Sequence, residues 1–332
     1  MSARRLLLGF VLASPLWACA SAGPALAQTK WDLSTIWPDG NFHTQNAKRF
    51  AEEVKAATKG AVEITVKGGG QLGFKGPEHM RAVRDGLVPM ADVLLSQQVG
   101  DEPLLGVETV PFLMSDEKDR VVLHKRFRPL IEKIFDKHDQ ITLYMVPWPT
   151  QYFHLKVKAD NLDGLKGIKV RVPDREVHAL LTFLGMSPVL IPWGEVVPAL
   201  SSGAVHGVTT SATSGVDGKF WEFLKYFYRT NHGASSQAVT VNKAAWAKLA
   251  PDQQKAIMDV AKRLEPEFWA VSAKNDADSA ARLKAGGMEM IEVPGPMMAE
   301  MRAKAKPMID DFIKKAPAAD APLKAYLAEL KR

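Results

Sequence analysis

Residues 161–218 hold two consecutive β-α units, and that repeat constrains the fold more than any other stretch of the chain. Gly164 and Gly167 turn the chain into a short strand, Ile168 to Val172, which Pro173 ends because proline cannot donate to a sheet ladder. A helix is predicted from Arg175 to Leu184, with Gly185 as its stop. Met186 to Ile191 reads as a second strand, and Trp193-Gly194-Glu195 leads into a short helix ending at Gly203. The same alternation runs upstream, with strands over 30–36, 61–67 and 90–96 and helices over 43–58 and 75–84. The first of these helices carries Ala47, Phe50, Ala51, Val54 and Ala57 on one stripe. β-α-β alternation at this spacing argues for a parallel sheet. Beyond it the pattern predicts a helix over 116–138 and strands over 141–146 and 238–242. A long helix over 252–284 follows, with Pro251 at its start, Gly286-Gly287 at its end and Pro266 expected to kink it. A strand over 288–293 and two helices, one to Ala316 and one from Pro322, close the chain.

Arg171 stands where the strand 168–172 runs out, between Val170 and Val172. A guanidinium among apolar neighbours is expensive unless a partner waits for it. Its planar fork suits a carboxylate, held through two parallel hydrogen bonds. Ligands of open α/β sheets lie beyond the carboxyl ends of strands, which is where Arg171 falls. Two partners satisfy this chemistry equally: an internal Asp or Glu, or an acid brought from outside.

Residues 1–27 read as an export signal, with Arg4-Arg5, an apolar run from Leu6 to Leu16, and Ala25-Leu26-Ala27 as the cleavage site. The expected mature start is Gln28, in the periplasm. The single cysteine, Cys19, falls inside the signal, so the mature chain is expected to lack disulfides, thiol nucleophiles and cysteine metal sites. Removing Arg4 and Arg5 from the 43 basic residues leaves 41 against 37 acidic ones, a mild +4 that suggests no nucleic-acid surface. The histidines are scattered without H-x-x-x-H spacing, which argues against a transition-metal site, and His206 reads as a turn residue near the cleft mouth. Gly68, Gly70 and Gly73 fit the dinucleotide fingerprint, but Lys75 and Pro77 intervene before the helix, and Phe74 stands where a phosphate-binding loop needs lysine. No G-x-S-x-G or other nucleophile-and-base pattern occurs. The sequence therefore predicts no catalytic residue, no metal and no cofactor.

The segment 161–218 resembles the signature of the solute-binding subunits of tripartite ATP-independent periplasmic (TRAP) transporters, of the dicarboxylate-binding type. The residues that carry the likeness are Asp163-Gly164-Leu165-Lys166-Gly167, Lys169, Arg171 and Pro173, then Leu184-Gly185-Met186-Ser187-Pro188, then Glu195, Ala199-Leu200, Gly203 and Gly207. Phe50-Ala51-Glu52-Glu53-Val54, Gly70-Gln71-Leu72-Gly73, Asp92, Pro111-Phe112 and 246–251 extend it over nearly the whole mature chain. The resemblance implies that Arg171 grips a substrate carboxylate and that Trp193 lies over the ligand. Thr210 replaces the ligand-binding asparagine of the family pattern, and Gln151 stands where many members carry a second arginine. One cation and several tryptophans lean towards a monocarboxylate over a diacid.

The expected fold is α/β, a two-lobed periplasmic binding protein of type II-like form, with hinged lobes and a long helix along both. Residues 28–147 with 238–294 are expected to form the first lobe, 148–237 with 295–332 the second, and crossings near 147–151 and 236–240 the hinge. The expected ligand contacts are Arg171, Trp193, Thr210, Gln151, Thr209 and Ser211 from the second lobe and the hinge, with Trp37, Asn41, Gln97, Phe74 and Trp148. The function implied is capture of an organic acid and its delivery to the membrane permease subunits, by a monomer or by a dimer exchanging C-terminal helices. A periplasmic sensory binding protein and a nicotinamide-dependent periplasmic enzyme are the other readings.

Overall fold

A computed structural model describes residues 28–331; the segment expected to be an export signal, its expected cleavage site and Cys19 lie outside the described residues. Strand β1 (Thr29–Ser34) buries Trp31 and Leu33 on one side, as its alternation dictates. Helix α1 (Phe42–Ala57) starts at Asn41, whose side chain accepts from the His43 amide, and buries Ala47, Phe50, Ala51 and Val54. Strand β2 (Val62–Lys67) returns parallel to β1 from Thr29↔Val62 to Ser34↔Lys67. Helix α2 (His79–Arg84) follows one turn of 3-10 helix that includes Pro77. Strand β3 (Met90–Leu94) is buried at every residue, as expected of a central strand covered on both faces. Helix α3 (Glu117–Lys137), capped by Asp116, leads into β4 (Gln140–Pro147).

The chain then crosses into a second sheet through residues 148–150. Its elements are β5 (Gln151–Leu155), β6 (Lys169–Val172), α4 (Arg175–Phe183), β7 (Ser187–Leu190), α5 (Val196–Ser201), β8 (Gly207–Ser211), α6 (Ala212–Asp217) and β9 (Tyr226–Tyr228). Residues 229–235 carry the chain back, several positions earlier than expected, into β10 (Ser236–Asn242). β10 lies antiparallel between β3 and β4, so the first sheet is mixed, in the order β2-β1-β3-β10-β4. After α7 (Lys243–Trp246), helix α8 (Pro251–Ala285) spans 35 residues with Pro266 inside it. Its first half packs Ile257, Val260, Leu264 and Phe268 into the first-lobe core, and Leu283 near its end enters the second-lobe core.

The last elements depart from the expected partition. β11 (Glu289–Ile291), expected with the first lobe, pairs with β9 in the second sheet, whose order is β11-β9-β5-β8-β6-β7. The helix expected to run to Ala316 is two, α9 (Gly295–Ala305) and α10 (Pro307–Lys315), because Pro307 opens a new first turn. α9 packs Met297 and Met301 on the second lobe, while α10 straddles the lobes with Met308 in one core and Phe312 in the other. α11 (Asp320–Glu329), expected with the second lobe, buries Leu323 and Tyr326 in the first-lobe core beside α3. No helix among the described residues is long and apolar enough to cross a membrane.

Candidate functional site

Between the two lobes lies a small cavity lined by residues of both. β6 points its carboxyl end at it. Pairing of that strand stops at Val172, Pro173 follows, and the Asp174 side chain accepts the Val177 amide at 2.9 Å to open α4. This turn brings Arg171, Pro173, Asp174 and Val177 onto one wall of the cavity.

Arg171 is 2% exposed, yet it forms no ion pair among the described residues. Its Nε donates to the Ile191 carbonyl at 2.9 Å. Burial lowers its pKa to about 10, with the field of Asp174 opposing. It remains a full cation at neutral pH, desolvated and without a carboxylate of its own. Asp174 is buried as well; desolvation pushes its carboxyl up to about 6, and the Val177 amide and the nearby Ser96 side chain draw it down.

The lining also holds an aromatic cluster. Trp37 meets Trp148 edge-on, with ring centroids 4.5 Å apart at 64°, and faces Trp193 at 5.7 Å. Trp193 belongs to a 3-10 turn of the second lobe, so the Trp37–Trp193 contact joins the lobes. The indole Nε1 atoms of Trp37 and Trp148 are buried and have no hydrogen-bond partner among the described residues. The glycine run that matches a dinucleotide fingerprint serves this cluster. A side chain at Gly68 would meet the Asp39 Oδ1 at 2.9 Å and the Trp37 carbonyl at 3.3 Å. The Gly69 amide donates to that same carbonyl at 2.7 Å, and the Gly70 amide to Thr35 at 3.0 Å, so the loop's N–H groups are already used.

Of the expected contacts, the cavity gathers Arg171, Trp193, Thr210, Gln151, Trp37, Gln97 and Trp148. Four are elsewhere. Thr209 and Ser211 flank Thr210 on β8 and project from the opposite face, because successive strand residues alternate; Ser211 accepts the Ser214 amide at 3.2 Å as the cap of α6. Asn41 caps α1 and donates to Asp217 Oδ2 at 2.6 Å. Phe74 packs with Leu72 against the first-lobe core. His206 is exposed, and its backbone bridges Lys169 and Lys156 in the turn before β8. Sequence reasoning missed Asp174, Ser96 and Ser214 as lining residues. A Pro-Asp pair three residues before Val177 reads as a helix cap, which conceals that the same carboxyl reaches the cavity. No group of three or more His, Cys, Asp or Glu among the described residues could hold a metal.

Besides the Trp37–Trp193 contact, polar contacts tie the lobes beside the cavity: Asn41 to Asp217, and the exposed Lys75 Nζ to Glu195 Oε1 at 2.9 Å. Burial pushes the Asp217 carboxyl up to about 6, and donation from Asn41 draws it down.

Residues 33–316 match the family described as bacterial extracellular solute-binding protein, family 7 (DctP). Among solved structures, the chain is similar to DctP7 of Bordetella pertussis, an extracytoplasmic solute receptor binding pyroglutamic acid. The two share 32% identity at a TM-score of 0.87, over 90% of this chain and 99% of that one. A marine metagenome TRAP solute-binding protein specific for pyroglutamate is 29% identical at a TM-score of 0.86, over 90% of this chain and 98% of that one. The C4-dicarboxylate-binding periplasmic protein DctP of Rhodobacter capsulatus is 26% identical over 98% of this chain and 99% of its own length.

Proposed function

This chain belongs to the DctP family of bacterial extracellular solute-binding proteins, the receptors of TRAP transporters, and from that premise we propose that it captures a small monocarboxylate through Arg171. The receptor acts in the periplasm after cleavage at Ala27, hands the acid to membrane permease subunits, and binds without transforming its ligand. Its lobes hinge through residues 147–151 and 229–235, and closure brings Trp37 and Gln97 of one lobe onto Arg171, Trp193 and Thr210 of the other.

One observation carries the reading: a buried guanidinium lines the cavity with no internal carboxylate paired to it. Removing a charge from water is costly unless it is compensated, so a site that keeps such a cation is suited to an anion from outside. Among the described residues, Arg171 is the only cationic one of the lining, which favours one carboxylate over two. A second carboxylate would have to lie beside Asp174 or against neutral donors. The pyroglutamate bound by the Bordetella and marine receptors is a small cyclic monocarboxylate of this kind, and it is the first compound to test.

The test is a melting-temperature screen of purified residues 28–332 against organic acids, followed by calorimetric titration of the hits. We expect Arg171→Gln to abolish the ligand-induced shift. Arg171→Lys should weaken binding by at least about 30-fold, because truncating one partner of a buried charged pair costs roughly 2–5 kcal/mol and an ammonium cannot reproduce the fork. Full ligand-induced stabilisation in both variants overturns the assignment.

A further inference from the structure

Resting on the carboxylate reading, we propose that Asp174 is the second anchor of the ligand: it accepts a hydrogen bond from an N–H or O–H group on the acid. The pocket then selects carboxylates that carry a donor near the carboxyl group and rejects isosteres that offer only acceptors there.

The geometry carries this in three steps. Asp174 and Arg171 are both buried on one wall of the same cavity, three residues apart, yet they form no ion pair. A carboxylate whose role was to neutralise the guanidinium would close on it. Capping α4 does not require the charge either. The cap uses Oδ1 for the Val177 amide at 2.9 Å, a task Asn or Ser performs equally well. A buried carboxylate has about four acceptor positions; the Val177 amide takes one, and the nearby Ser96 hydroxyl, without a partner among the described residues, could take at most one more. Once the lobes shut and water leaves, the remaining capacity must meet a donor, and among the described residues the cavity lining holds no cation besides Arg171.

The rest of the lining offers the complement. The buried Nε1 groups of Trp37 and Trp148 are donors without partners. A ligand that places a carboxylate on Arg171, a donor on Asp174 and a carbonyl or ring oxygen towards the tryptophans matches the chemistry of all three. A lactam acid has this set, and so has a 2-hydroxy acid with a further oxygen. A 2-oxo acid or a simple diacid lacks the donor.

The experiment compares matched pairs by calorimetry on the mature protein and on Asp174→Asn. One pair is pyroglutamate with its lactone isostere, 5-oxotetrahydrofuran-2-carboxylate, in which ring N–H becomes ring oxygen; the other is lactate with 2-methoxypropanoate. We expect the native protein to prefer the donor-bearing member by at least about 100-fold, as sites built to bond a substrate N–H or O–H do. Asp174→Asn retains the cap and its amide can donate, so the preference should fall below about tenfold while the melting temperature stays close to native. Equal affinity for both members of a pair overturns the proposal while leaving the carboxylate reading intact. So does an unchanged preference in Asp174→Asn, or binding confined to donor-free acids such as pyruvate or succinate. Failure to bind any carboxylate overturns both readings.

Discussion

Asp92 shows how much a single buried charge can cost this fold. It sits on the fully buried strand β3, where its Oδ2 accepts the Thr35 hydroxyl at 3.1 Å while Oδ1 has no partner among the described residues. Burial pushes its carboxyl up to about 7. Its folded pKa therefore lies above the unfolded value of about 4, and the folded state holds the proton more tightly between those pH values. Stability is therefore lost from about pH 4 to 7, where the unfolded carboxyl ionises and the folded one must stay protonated, and is regained as the pH falls. Asn keeps the acceptor that Thr35 needs and carries no charge. Asp92→Asn should raise the melting temperature by several degrees at pH 8, a gain on the order of 2 kcal/mol, and leave it unchanged at pH 4. Calorimetric scans at the two pH values check this; an equal shift at both would mean that charge is not the cause. Single residues were unevenly legible in the sequence. Arg171 could be read because a cation between two valines at a strand end has few explanations. Asp92 entered only as a family match, and Asp174 was hidden behind a helix-cap pattern that is equally true of it.

At the scale of elements, the period of the strand decides which threonine lines the cavity. β8 is pinned on both sides, by Tyr152↔Thr210 from β5 and Arg171↔Val208 from β6, so its faces cannot be exchanged. Thr210 lines the cavity, and the Thr209 Oγ1 is buried on the far face with no partner among the described residues. The two neighbours should therefore respond oppositely to the same change. Thr210→Val removes a hydroxyl from the cavity wall and is expected to weaken ligand binding about tenfold, the worth of one hydrogen bond in a closed site. Thr209→Val removes an unsatisfied hydroxyl and is expected to leave affinity within about twofold and stabilise the protein by up to about 1 kcal/mol. Titration and thermal melts on both variants check it; loss of affinity in Thr209→Val would mean the face assignment is wrong. The alternation that separates 209 and 211 from 210 was available in the sequence. It was outweighed by reading 203–218 as one hydroxyl-rich loop. Helices and strands with clear period and caps, such as α1, α3 and α8, were legible to within a few residues. The break at Lys306–Pro307 was not anticipated because the apolar spacing on either side looks continuous.

At the scale of the molecule, the β-α alternation gave the lobes but not the returns between them. β10 inserts antiparallel into the first sheet after a stretch of about 90 residues in the second, and α11 comes back to α3 from the chain's far end. Such pairings depend on distant partners, and local periodicity does not encode them. The same returns make the lobes two bodies joined by two crossing segments and by α8 and α10, which suits hinge motion. Closure must then be visible wherever the lobes meet outside the cavity. Lys75 and Glu195 form such a meeting point, 2.9 Å apart on the surface and each 56% exposed, so either can be replaced without disturbing a core. Cys19 is the only native cysteine and precedes the expected mature start, so Lys75→Cys with Glu195→Cys gives the mature protein just these two thiols. A short bis-maleimide should bridge them several-fold faster in the presence of the acid that gives the largest melting shift. A ligand shifts the open–closed equilibrium only by its differential affinity for the two states, and contacts from both lobes exist only in the closed one. Adding Arg171→Gln to the pair should abolish the acceleration while leaving the ligand-free rate unchanged. Equal bridging rates with and without ligand in the native background would mean that the lobes do not close on the acid, and that the cavity fills without hinge motion.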